Sequence, residues 1–148
     1  MIPLTSQISK KSLFLKYWAP VLLYGLLIVY LSSQSYPDQQ LPSFVFLFSD
    51  KILHACEFGI LGILLYRAFN QTTETARSMS LALMCVIAFG ISDEAHQWFV
   101  PQRQADLWDL VADTIGAVFL ILGWVFITEK WRIHMRIRNY RLLRARRG

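Results

Sequence analysis

Charge is scarce in this sequence. Asp, Glu, Lys and Arg supply 17% of the 148 residues and hydrophobic residues 55%, which excludes an ordinary soluble domain because too little polar surface remains to cover one. Cysteine is scarcer still: Cys56 and Cys85 both lie in apolar runs, and no disulfide framework or zinc pattern can be built from them. They are expected to pack as small apolar residues. Internal repeats and low-complexity linkers are also missing, so one small polytopic membrane domain is expected.

Four apolar runs are present, Trp18–Ser32, Ile52–Phe69, Ser80–Trp98 and Leu107–Thr128. Each approaches the ~20 residues that a spanning helix needs. The expected fold is all-α, an integral membrane four-helix bundle over residues 17–128, between a cytoplasmic N-terminus (1–16) and a basic cytoplasmic tail (129–148). Cleavage after the first run, at "LSSQS", would leave three spans and a C-terminus at odds with its charge, so an uncleaved first span is expected.

Basic residues set the orientation. With both termini inside, Lys10, Lys11, Lys16, Arg67, Arg77 and the eight Lys and Arg from Lys130 to Arg147 are cytoplasmic, 13 of 15 in all, and only Lys51 and Arg103 lie outside. This is the positive-inside pattern, and the expected location is the bacterial cytoplasmic (inner) membrane. "SFVFLF", Ser43–Phe48, is too short to span and too apolar to float, so a short interfacial or re-entrant segment is expected in the first external loop. The tail carries Ile133, Ile137 and Tyr140 at helical spacing among arginines. It should form a basic amphipathic helix on anionic lipid, with nucleic-acid binding the disfavoured alternative.

The acids are out of place in such a chain. Asp50, His54 and Glu57 stand at i, i+4 and i+7 on one stripe of the second span, with Lys51 beside them. The third span ends in Ser92, Asp93, Glu94, His96 and Gln97, and the fourth opens with Asp106, Asp109 and Asp113 at i, i+3 and i+7. Because spans two and four begin outside and span three ends there, their polar ends should meet in one site. A charge at the centre of a span costs about 2.5–3.5 kcal/mol on insertion scales, so the cluster should face an inward, partly hydrated cavity.

Outside cations cannot balance it. Asp38, Asp50, Glu57, Asp93, Glu94, Asp106, Asp109 and Asp113 share that side with Lys51 and Arg103 alone, so some carboxyls must be protonated, hydrated or bound to a cation. Gly59, Gly62 and Gly116 remove side chains where two spans can approach closely. His96 lies one residue off the Glu94 and Gln97 face and is a weaker candidate, while Trp98 and Trp108 suit an aromatic belt.

The pattern "SDKILHACEFGILG" followed by "ISDEAHQWFVPQRQADLWDLVADTIGA" resembles the VanZ-like family of small bacterial membrane proteins, over about Ser32 to Gly123. Family-like positions are Asp50, Lys51, His54, Glu57, Ser92, Asp93, Glu94, Gln97, Pro101, Arg103, Asp106, Asp109 and Gly116. The resemblance implies the architecture, and a link to glycopeptide resistance, since the family's named member is associated with resistance to teicoplanin. Three positions depart from the pattern: Phe58 where Tyr is frequent, Gln102 where Gly usually precedes the Arg, and Asp113 where Asn is usual.

Two function classes stay open. One is an enzyme acting at the outer leaflet on a polyprenyl-phosphate or other cell-envelope precursor lipid. His54 would be general acid or base, Glu57 or Glu94 its partner, and Lys51 and Arg103 would hold a phosphate or carboxylate, with Asp50, Gln97 and Asp106 completing the binding set. In a metal-dependent form, Glu57, Glu94, Asp106 and Asp109, with His54 as a possible further ligand, would hold a divalent cation such as Mg²⁺ or Ca²⁺. The other class is a non-enzymatic lipid- or antibiotic-binding module. A purely helix-locking network is a poor use of so many acids, since interhelical polar contacts contribute only ~0.6 kcal/mol on average.

Overall fold

The computed structural model describes residues 10–34, 43–101, 103 and 105–145, with side chains at 11–34, 51–101, 103 and 105–139. Four helices follow in chain order, α1 (Lys10–Ser32), α2 (Ser43–Phe69), α3 (Thr75–Gln97) and α4 (Leu107–Ala145), and the described residues contain no strand. Each helix has a stretch long and apolar enough to cross a membrane: Lys11–Ser32, Lys51–Phe69, Thr75–Gln97 and Leu107–Asn139. The chain is a multi-pass, all-helical membrane protein.

Buried positions recur along each helix at the three- and four-residue steps of one face. In α1 they are Val21, Gly25, Ile28 and Ser32; in α3, Ser78, Ala82, Val86, Gly90, Asp93, Glu94 and Gln97; in α4, Asp109, Asp113, Gly116, Ala117 and Ile121. The opposite faces present Leu22, Leu23, Leu26, Met84, Phe119 and Phe126 outward. Such faces would be costly in water but are at no disadvantage among lipid tails.

Helix α2 is the centre of the bundle. It packs most extensively against α4, then against α3 and α1. The α2–α4 approach depends on small residues: a Cβ at Gly116 would lie 2.0 Å from the Ala55 carbonyl oxygen, one at Gly59 2.6 Å from Leu120 Cδ1, and one at Gly62 3.1 Å from Ala117 Cβ. Backbones this close bring the polar residues at the start of both helices within reach of one another. At the far end Trp18 meets Phe69 edge-on at 5.2 Å, and the Arg67 guanidinium lies 5.4 Å from the Trp124 ring centroid.

Two segments run continuously into a span. Ser43–Phe48 forms the start of α2, ahead of the span-length stretch that begins at Lys51. The tail is likewise continuous with α4, whose 39 residues amount to about 58 Å of helix, longer than the ~40–45 Å of a whole bilayer. A tail lying flat on lipid requires α4 to bend. Thr128, whose Oγ1 donates to the Trp124 and Val125 carbonyls at 2.8 and 3.0 Å, is the position where such back-bonding favours a bend.

Candidate functional site

The site lies at the end of the bundle where α1 and α3 finish and α2 and α4 begin. Ser32, His54, Asp93, Glu94, Gln97, Asp109 and Asp113 are buried there, supplied by all four helices.

Asp106 organises the α4 side. Its Oδ1 accepts the Trp108 N–H at 2.9 Å, capping the helix, while its own N–H donates to Glu94 Oε2 at 2.6 Å. Lys51 Nζ donates to Asp106 Oδ2 at 2.6 Å and also to Asp109 Oδ1. The Lys51 ammonium, and after it the Trp108 N–H, holds the Asp106 carboxyl below the ordinary aspartate value. Glu94 is thereby tied to the α4 N-terminus, where exposed N–H groups favour negative charge.

His54 forms the deepest pair. Its Nδ1 donates to Asp113 Oδ1 at 3.1 Å, and its ring stacks on Phe58 with centroids 6.2 Å apart. Gly90 makes room for this acid, since a Cβ there would stand 3.0 Å from Asp113 Oδ2. On α3, Gln97 Nε2 donates to Asp93 Oδ2 at 2.9 Å, joining residues one helical turn apart.

Several buried oxygens meet no hydrogen-bond donor among the described residues: Ser32 Oγ, Asp93 Oδ1, Glu94 Oε1 and Asp113 Oδ2. Buried polar atoms are normally satisfied, so four such oxygens leave room for water or a bound group as the partner. One nitrogen or oxygen from each of His54, Glu94 and Asp109 lies within 4.8 Å of the other two. Beside this trio, Leu31, Ser32, Leu53, His54, Glu57, Asp93, Gln97 and Arg103 line a narrow, partly open cleft. Leucines on one edge and ionisable groups on the other suit an amphiphile.

The end of α1 is stitched to this cleft. Arg103 donates through Nε to the Gln34 carbonyl at 3.2 Å and through Nη2 to the Leu31 carbonyl at 3.4 Å, placing a cation on the C-terminal carbonyls of α1. Ser33 Oγ donates to the Val29 carbonyl at 2.6 Å, so the 2.9 Å contact with His96 Nε2 has the imidazole N–H donating to Ser33. In that arrangement Ser33 is a tether and not an activated hydroxyl.

Of the residues singled out in the sequence, His54, Glu94, Lys51, Asp106 and Asp109 come together, and Glu57, Gln97 and Arg103 line the cleft. The side chain of Asp50 lies outside the described residues. Of the suggested metal set, His54, Glu94 and Asp109 stand together, while Asp106 is engaged by Lys51 and Glu57 stands on the cleft wall. Ser32 escaped notice, although it continues the buried stripe of α1. Gly90 carried no sequence signal, because a space kept for a carboxylate appears only when α3 meets α4.

The chain resembles known proteins in sequence. Residues 5–128 match the family model VanZ/LLP1. An uncharacterized protein of Schizosaccharomyces pombe is 26% identical over 92 residues, 62% of this chain and 56% of that protein. This chain therefore spans little more than half of that relative's length. No solved structure matches.

Proposed function

The chain belongs to the VanZ/LLP1 family, and we propose that its buried acidic site is catalytic, acting on a lipid-anchored precursor of the cell envelope at the non-cytoplasmic face of the bacterial inner membrane. The observation that carries this is the cleft: His54, Glu57, Asp93, Gln97 and Arg103 converge beside Leu31 and Leu53 at one end of a membrane bundle. A substrate held there keeps its hydrocarbon in lipid and its polar head among ionisable groups. The positive-inside distribution supports the orientation, since Arg67, Arg77, Lys130, Arg132, Arg136 and Arg138 fall at the opposite end. Those tail cations suit anionic lipid on the cytoplasmic surface.

In this reading His54 is the general acid or base. Asp113, on Nδ1, orients the imidazole as a carboxylate does beside a catalytic histidine. Glu57 exchanges protons with the cleft, and Arg103 stands at its wall to meet a phosphate or carboxylate. Altered supply of such a precursor is the route by which the family's tie to teicoplanin resistance would extend to this chain.

The test presents purified protein in lipid with a panel of polyprenyl phosphates and envelope precursor lipids, with His54→Ala and Glu94→Ala as controls. Turnover lost in both variants supports the enzyme. Binding without turnover favours a lipid- or antibiotic-binding module, the alternative supported by the absence of a hydroxyl activated by histidine among the described residues. An accessibility label in the 103–106 loop that reacts from the cytoplasmic side would sink the orientation.

A further inference from the structure

We infer that His54, Glu94 and Asp109 form a divalent-cation site with one nitrogen and two carboxylate ligands, suited to Mn²⁺ or Zn²⁺. The trio comes from three different helices, and its donor atoms lie within 4.8 Å of one another. With bonds of ~2.0–2.2 Å, donors on one ion stand about 3–4 Å apart, so a small inward movement completes the set.

Three further observations point to an ion and not merely to an acidic patch. Glu94 is 8% exposed and its Oε1 meets no hydrogen-bond donor among the described residues, while Oε2 is fixed by the Asp106 N–H at 2.6 Å. One oxygen positions the carboxylate and the other is left to bind. His54 is held by Asp113 through Nδ1 at 3.1 Å. A ligating histidine held through its other nitrogen by a carboxylate is the usual outer-shell arrangement of metal sites. Asp109 is 2% exposed, with its Oδ1 on Lys51.

Charge gives the reason. Among the described side chains, Glu57, Asp93, Glu94, Asp106, Asp109 and Asp113 gather around Lys51 and Arg103. A phosphate or carboxylate head would be repelled from such a site, and a bound dication supplies the attraction it needs. The mixed ligand set also selects the ion. Imidazole suits Zn²⁺ and carboxylate suits Mn²⁺, whereas an oxygen-only set would have suited Mg²⁺ or Ca²⁺.

This inference rests on the proposed function but makes His54 a ligand of the ion in place of the general acid or base, leaving proton transfer to Glu57, and its test does not depend on turnover. Protein stripped with chelator and reconstituted in neutral-lipid nanodiscs is titrated with Mn²⁺, following the free-ion signal by electron paramagnetic resonance. Bound Mn²⁺ is then examined for ¹⁴N hyperfine coupling. One ion per chain, ¹⁴N coupling abolished in His54→Gln, and weakened binding in Glu94→Gln and Asp109→Asn are the expected results. Asp113→Ala should weaken binding about 10- to 100-fold through the histidine alone. Helical circular dichroism of each variant separates loss of the ion from loss of the fold. No ion bound by folded protein, or the same coupling in His54→Gln, overturns the site. Ion binding without turnover on any lipid leaves this site standing and removes the enzymatic reading.

Discussion

The Nδ1 of His54 and the Oδ1 of Asp113 lie 3.1 Å apart, both residues at most 5% exposed. Asp113 stands where the VanZ-like pattern usually has Asn, and an asparagine carbonyl accepts the same N–H. Asp113→Asn should therefore keep thermal stability in detergent within about 1 kcal/mol of the parent, whereas Asp113→Ala, which leaves a buried imidazole N–H with no acceptor there, should lose about 1–3 kcal/mol. Equal losses in the two variants would mean that the negative charge, and not the hydrogen bond, matters at this position.

The α2–α4 crossing makes a sharper steric prediction. A Cβ at Gly116 would stand 2.0 Å from a backbone oxygen of α2, while one at Gly123 meets nothing within 4 Å. Gly116→Ala should destabilise the bundle by about 1–3 kcal/mol, the usual cost of overpacking, and Gly123→Ala should be neutral or slightly stabilising because alanine favours the helix. Comparing melting temperatures of the two variants decides it, and matching values would sink the close crossing.

Much of this was legible in the chain itself. Four apolar runs gave four helices, because helix length in a membrane is set by bilayer thickness. The convergence of His54, Glu94, Asp106 and Asp109 followed from which ends of the spans share a side. What periodicity could not supply was pairing across helices. That Lys51 reaches Asp106 and Asp109, that Asp106 caps α4, and that Gly90 shelters Asp113 depend on the rotation of one helix against another. Arg103 shows the same limit: an external arginine looked available for an anionic substrate, yet it also caps the carbonyls of α1.

Asp106 provides a pH test at the membrane edge. Its carboxyl titrates below the ordinary value of 3.8, chiefly because of Lys51 and then the Trp108 N–H. A depressed folded-state value means that its stabilisation is complete above the unfolded value and drains as pH falls through the folded one. The parent should therefore lose stability relative to Asp106→Asn as pH is lowered below about 3.8, and the difference between them should be constant from pH 5 to 7. Chemical unfolding of both proteins across this range measures it. A difference that changes only above pH 5 would assign the dependence to another group.

Lys51 offers a last test, in which stability and cation binding must move together. Its ammonium contacts Asp106 and Asp109, so it neutralises part of the acidic cluster and at the same time opposes a dication at Asp109. Replacing it with methionine, of similar length but no charge, should lower stability in chelator because two adjacent carboxylates lose their donor. The same change should tighten Mn²⁺ binding, since a competing positive charge is removed. Ligand that binds only the folded state stabilises it in proportion to the logarithm of its affinity, about 1.4 kcal/mol for each tenfold gain at saturation. The rise in melting temperature on adding saturating Mn²⁺ should therefore be larger for Lys51→Met than for the parent, and should shrink when Glu94→Gln is added to either. An equal rise in both would show that the ion, if bound, lies away from Asp109.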